Sequence, residues 1–124
     1  MISYENVPVK NKNEVVHPGH EPLIDTGLLA DKTVKLKAGT ILKWNADSTG
    51  LVAAAPADTP VAVLTEDSDG KNAEVLVLWH GAVVFGRLLN SSGDAPVAAT
   101  AALANKLRAT GIYPLQLFTS AKKG

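Results

Sequence analysis

The sequence predicts a mainly β domain with one short C-terminal helix, an α+β arrangement, and three observations predict it. Residues 74–87 form the strongest strand signal: Val75, Val77 and Trp79 alternate with Leu76, Leu78 and His80. Nearly every position there is apolar, β-branched or aromatic, the pattern of a strand covered on both faces. Shorter apolar runs precede it, each closed by turn formers. After Leu89 the period lengthens to that of a helix.

Residues 1–22 are mostly polar or charged and include Pro8, Pro18 and Pro22, so they are expected to form an extended or disordered arm without a core of its own. Val7 and Val9 would share one face of an extended segment. Pro8 lacks the N–H that a ladder needs, which restricts the arm to edge pairing. A single compact domain is expected over residues 23–118. Within it, the alternation at 33–37 and at 40–44, with Ala38 and Gly39 between, predicts a hairpin. Residues 45–50 are rich in turn formers, 51–55 follow as a short strand, and Pro56 and Pro60 bracket the next break. Residues 61–65 predict another strand, and the polar run 66–72 a turn into the central strand. Gly81 interrupts that strand where a bend or bulge is expected.

A helix is expected near 96–110. Asp94 is placed to cap it and Pro96 to sit in its first turn. Leu103 and Leu107 share a face, and Lys106 and Arg108 favour the negative end of its dipole. Gly111 should end it in a left-handed conformation, with Ile112 folding back onto Leu107 and Tyr113-Pro114 preventing continuation. The expected core residues are Val75, Val77, Trp79, Val83, Phe85, Leu103, Leu107 and Ile112. Residues 119–124 are expected to fray.

Composition narrows function. The 12 Lys and Arg balance 12 Asp and Glu with no basic block, which points away from nucleic acid and from anionic membranes. No cysteine is present, so thiolate metal sites are excluded and a reducing cytosol is compatible. No segment has a signal-peptide pattern or the roughly 20 apolar residues of a membrane span, so the chain reads as soluble and unsecreted. Few aromatic residues and abundant alanine predict a modest core for which oligomerisation would be a benefit.

The chemistry-bearing residues favour bland roles. His17 and His20 flank Pro-Gly in the arm and read as a solvated turn rather than half of a zinc site. His80, inside the central strand, reads as a buried histidine bonded to backbone, with catalytic base the remoter alternative. Asp67-Ser-Asp-Gly70 starts like a calcium loop, but its glycine comes too early and Leu78 stands where a bidentate glutamate belongs. Glu66, Asp67, Asp69 and Glu74 read as a solvated turn rather than as paired hydrolytic acids. No phosphate loop, dinucleotide fingerprint or nucleophile elbow is present. No enzyme, metal or cofactor is expected.

Four stretches in order carry a family likeness: Gly39-Thr-Ile-Leu-Lys43, Pro60-Val-Ala-Val-Leu-Thr-Glu-Asp67, Glu74-Val-Leu-Val-Leu-Trp-His-Gly-Ala-Val-Val84, and Leu107-Arg-Ala-Thr-Gly-Ile-Tyr113. Over 39–113 the chain resembles the head decoration proteins of tailed bacteriophages, the lambda-type capsid-stabilising family. The strand-His-Gly-strand unit followed by a helix ending in Gly-Ile-Tyr is the most specific part. The resemblance implies a bent β-ribbon or incomplete barrel, β-clip-like, with a flexible N-terminal arm. It implies a non-catalytic structural protein, made in the host cytoplasm, that binds as a homotrimer to the major capsid protein outside an expanded head and stabilises the virion capsid against internal DNA pressure. Its capsid-binding arm would include Tyr4, Val7, Pro8, Val9, Val15 and Val16. The likeness is weak over residues 1–22, and the apolar run 114–118 continues beyond the family pattern. Two rival classes are a non-enzymatic β-rich binding module of a phage tail or surface protein, and a trimeric β enzyme such as a nucleotide hydrolase with sites between subunits. The second needs converging acidic and basic residues, and no such motif is present.

Overall fold

The computed structural model describes residues 22–91, 93 and 97–115. The described chain is mainly β with one short helix. Its elements are β1 (Leu23–Leu28), β2 (Ile41–Trp44), β3 (Leu51–Ala53), β4 (Ala62–Leu64), β5 (Glu74–Val84), a 3-10 turn (Phe85–Arg87), α1 (Ala101–Ala109) and β6 (Ile112–Leu115). The first five strands form an antiparallel sheet in the order β1-β5-β4-β2-β3, and β6 joins the far half of β5 in parallel.

The long central strand is where the sequence pattern is densest, and both its faces are covered. Val75 and Val77 enter one cluster with Leu29, Leu42, Leu51, Ala62 and Leu64. Leu78 enters the other with Ile41, Val63, Leu88, Leu107 and Ile112, beneath α1. Across Gly81 the helix-side positions switch from the even Leu78 to the odd Val83 and Phe85. One residue has therefore dropped out of the alternation, as in a bulge. Gly81 has φ +131, and a Cβ there would lie 2.9 Å from Cα of Pro22, so only glycine suits both the conformation and the space. At the other end, Leu29 bridges Leu51 and the N–H of Ala30 donates to the Leu51 carbonyl at 2.9 Å. The sheet thereby curls around the Leu42 and Leu64 cluster, and among the described residues no further strand pairs with the outer edge of β1.

The structure departs from the sequence expectations at four elements. Residues 33–37 are not a strand. The alternating Val34 and Leu36 are held instead by one residue, since Ser68 Oγ accepts from Leu36 N at 2.7 Å and donates to Val34 O at 2.9 Å, and Ser68 N–H donates to Leu36 O at 2.8 Å. The hairpin is formed by β2 and β3 through the turn at 45–50. The helix starts at Ala101, later than expected, and Asp94 and Pro96 lie outside the described residues. Its cap is Thr100, whose side chain accepts from Leu103 N at 3.2 Å. Strands β1 and β6 were not expected, and β6 continues through Pro114 beside Val83.

Candidate functional site

Two of the four stretches singled out in the sequence, residues 74–84 and 107–113, meet at one junction. Gly81 N–H donates to the Gly111 carbonyl at 3.0 Å, which ties the bend in β5 to the turn after α1. Gly111 has φ +90 and lies against the His80 ring so closely that a Cβ would collide with Cδ2. The His80 ring meets Tyr113 edge-on, with centroids 6.0 Å apart and planes at 86°. His80 is exposed. This corrects the expectation of a buried, backbone-bonded histidine: the bend at Gly81 turns the side chain out of the core and onto the loop. Its surroundings are a glycine and an aromatic edge, which gives this imidazole a packing role.

A groove of about 310 Å³ runs between α1 and the loop after β3, with Ile41, Ala54, Pro56, Val97, Leu103 and Lys106 among its lining. The lining is chiefly apolar and its rim is bonded. Lys106 Nζ donates to Pro56 O at 3.0 Å, and Lys43 pairs with Asp58 at 2.9 Å. The Lys43 ammonium, helped by the Ala55 N–H, holds the Asp58 carboxyl below its usual range. These contacts fix the loop to α1 through Lys106 and to β2 through Lys43.

Two of the carboxylates between β4 and β5 accept backbone hydrogen bonds, Asp69 within its own turn and Asp67 from a distant loop. Asp69 accepts from the N–H groups of Lys71 at 2.8 Å and Asn72 at 2.9 Å, and Asp67 accepts from Ala38 N at 2.8 Å. Among the described residues no group of three or more His, Cys, Asp or Glu side chains converges on a point where an ion would sit. No described helix is long and apolar enough to cross a membrane.

Of the expected core, Val75, Val77, Val83, Phe85, Leu107 and Ile112 are buried. Trp79 and Leu103 are half-buried at the margins. Trp79 packs on the inner cluster with Trp44 beside it, ring centroids 5.9 Å apart. The larger surprise is at the surface, where Leu23, Leu28 and Trp44 are 56%, 51% and 43% exposed. Periodicity gave no warning of this, because Leu23 and Leu28 lie in a strand whose Asp25 and Gly27 hide the alternation. Tyr4, Val7, Pro8, Val9, Val15, Val16, His17 and His20 lie outside the described residues, as do Asp94, Pro96, Leu117 and Phe118. No known family model and no curated protein matches the chain.

Proposed function

We propose that this chain is a structural capsid decoration protein: a non-catalytic cement subunit that binds as a homotrimer to the major capsid protein on the outside of an expanded tailed-phage head. The supporting observation is the junction of His80, Gly81, Gly111 and Tyr113. These residues belong to the two motifs whose combination gives the likeness its specificity. They lie about thirty positions apart in sequence, yet they are bonded and packed together in space. In this reading the curled sheet is the bent ribbon of a β-clip-like domain, and residues 1–22 are the arm that reaches the capsid.

A clamp follows from the energetics. Ordering an arm costs about 1–2 kcal/mol of backbone entropy per residue, so one arm adding a strand to a capsid sheet binds weakly. Three arms on one trimer act at high effective concentration, with avidity about 10²–10⁴ above a single arm. The test is co-sedimentation with expanded and unexpanded empty heads. The full chain should be retained on expanded heads alone, and deletion of residues 1–22 should leave a folded protein that is not retained. Equal retention on both heads, or undiminished binding after the deletion, would favour the alternative of a β-rich binding module from a tail or surface protein.

A further inference from the structure

The outer edge of β1, which pairs with no other strand among the described residues, has the chemistry of a strand waiting for a partner. Leu29 N–H donates to Ala73 O at 2.8 Å, in the same register that pairs Gly27 with Val75 and Asp25 with Val77. In an antiparallel ladder the bonding direction alternates, so the odd residues of β1 face β5 and Ile24, Thr26 and Leu28 direct their N–H and C=O groups outward. Two further bonds agree with this parity. Ala30 N–H, the next outward group, goes to Leu51 O, and Thr26 N–H is taken by the neighbouring Asp25 Oδ1 at 2.7 Å. The N–H groups of Ile24 and Leu28 take no partner from the described residues.

Such an edge is normally protected by lysine, proline, a short length or a cover. The other exposed edges have that protection: β3 is three residues long and β6 contains Pro114. By contrast β1 is six residues long, has no Lys, Arg or Pro, and carries Leu28 at 51% exposure.

We propose that this edge is a self-association surface, on which β1 of a second copy pairs antiparallel about a two-fold axis through Thr26. The parity selects the register, because outward residues must face outward residues. Thr26 then meets its own copy, and Ile24 meets Leu28 of the second copy on both sides of the axis. The apolar side chains pair with each other across the seam. Asp25 falls opposite Gly27, so the only charge in the strand meets no like charge. Thr26 N–H exchanges its local bond to Asp25 for a carbonyl of the second copy. This is an isologous contact. It does not rest on the capsid reading, because it doubles whatever unit the rest of the surface builds, a monomer into a dimer or a three-fold ring into a pair of rings.

The test uses the full-length chain, which has no cysteine of its own. Thr26→Cys places two thiols at a pair position about 5.5 Å apart between Cα atoms, inside disulfide range. Asp25→Cys places them two residues out of step, displaced by about 7 Å along the strands and out of reach. Mild oxidation should convert the Thr26→Cys protein to a covalent dimer and leave Asp25→Cys unlinked. In sedimentation velocity, Leu28→Lys should halve the native mass, while its circular dichroism matches wild type. Equal cross-linking of the two cysteine variants, or an unchanged mass for Leu28→Lys, would overturn the proposal.

Discussion

Strands β4 and β1 flank the same stretch of β5. Leu78 is paired with Val63 on one side and Ile24 on the other, and Val77 with Leu64 and Asp25. The neighbours are alike in backbone bonding and unlike in burial. Ala62, Val63 and Leu64 are wholly buried, whereas Leu23 and Leu28 are more than half exposed. The cause is position. β4 is followed across the sheet by β2 and is covered on both faces by the two clusters, while β1 has β5 on one side and, among the described residues, no strand on the other. Apolar residues on the β4 side stabilise the fold, whereas Leu23 and Leu28 on the β1 side leave most of their surface outside it.

The sharpest way to break this contrast is to truncate one leucine on each side. Leu64 has no exposed surface, so Leu64→Ala removes buried methyl groups and leaves a cavity, at a cost of about 2–5 kcal/mol. Leu28→Ala should change stability of the dissociated chain by no more than about 0.5 kcal/mol, as surface substitutions do. Urea unfolding at low protein concentration measures both. Similar losses at the two sites would show that the β1 edge is as much core as β4.

The junction between the two halves of β5 is the next place to press. Gly111→Ala forces a non-glycine residue to φ +90 and drives a methyl group into the His80 ring. Backbone strain of this kind costs about 1–3 kcal/mol. Adding His80→Ala removes the collision and leaves the strained backbone, so thermal unfolding of the double variant should recover part of the loss. Full recovery would assign the whole cost to the ring contact. No recovery would assign it to the backbone.

The same contrast explains what was legible in the sequence. The central strand, its break at Gly81, the strand at 61–65, the turns at 45–50 and 66–72 and the glycine stop at Gly111 all depend on local chemistry, namely alternation, punctuation and positive φ. The elements that were missed depend on distant partners. Strand β1 is obscured by Gly27, which is small because a Cβ there would lie 2.8 Å from Leu51 Cδ1. Strand β6 is obscured by Pro114, which reads locally as a stop and is tolerated at the sheet margin. The false strand at 33–37 has the right alternation but finds the Ser68 hydroxyl where a ladder partner would be. The exposure of His80 was hidden for the same reason, because the bend that expels it is completed by Gly111, thirty residues later.

Acid should separate the loops from the ladder. Each of the four connections from β1 to β5 carries one aspartate held below its ordinary range by hydrogen bonds. Asp31 is held by the hydroxyl and N–H of Thr33, and Asp47 by those of Thr49. Asp58 is held by Lys43 and the Ala55 N–H, and Asp69 by the N–H groups of Lys71 and Asn72. A carboxyl whose folded pKa is depressed stabilises the fold above its unfolded value of about 3.9, and that contribution is lost as pH falls through the folded pKa. All four side chains are solvent-screened, so each effect is small, and the expected change is a decline in melting temperature confined to pH below about 4. Changing all four to Asn should flatten that decline. Amide exchange followed on the same acid titration should speed up first at Thr33, Thr49, Ala55 and Lys71, while the β4 and β5 amides of Leu64 and Val77 stay protected. If the β5 ladder opened at the same pH as these turns, the loops would be coupled to the core, and the division between a stabilising β4 side and a free β1 side would not extend to the connections between the strands.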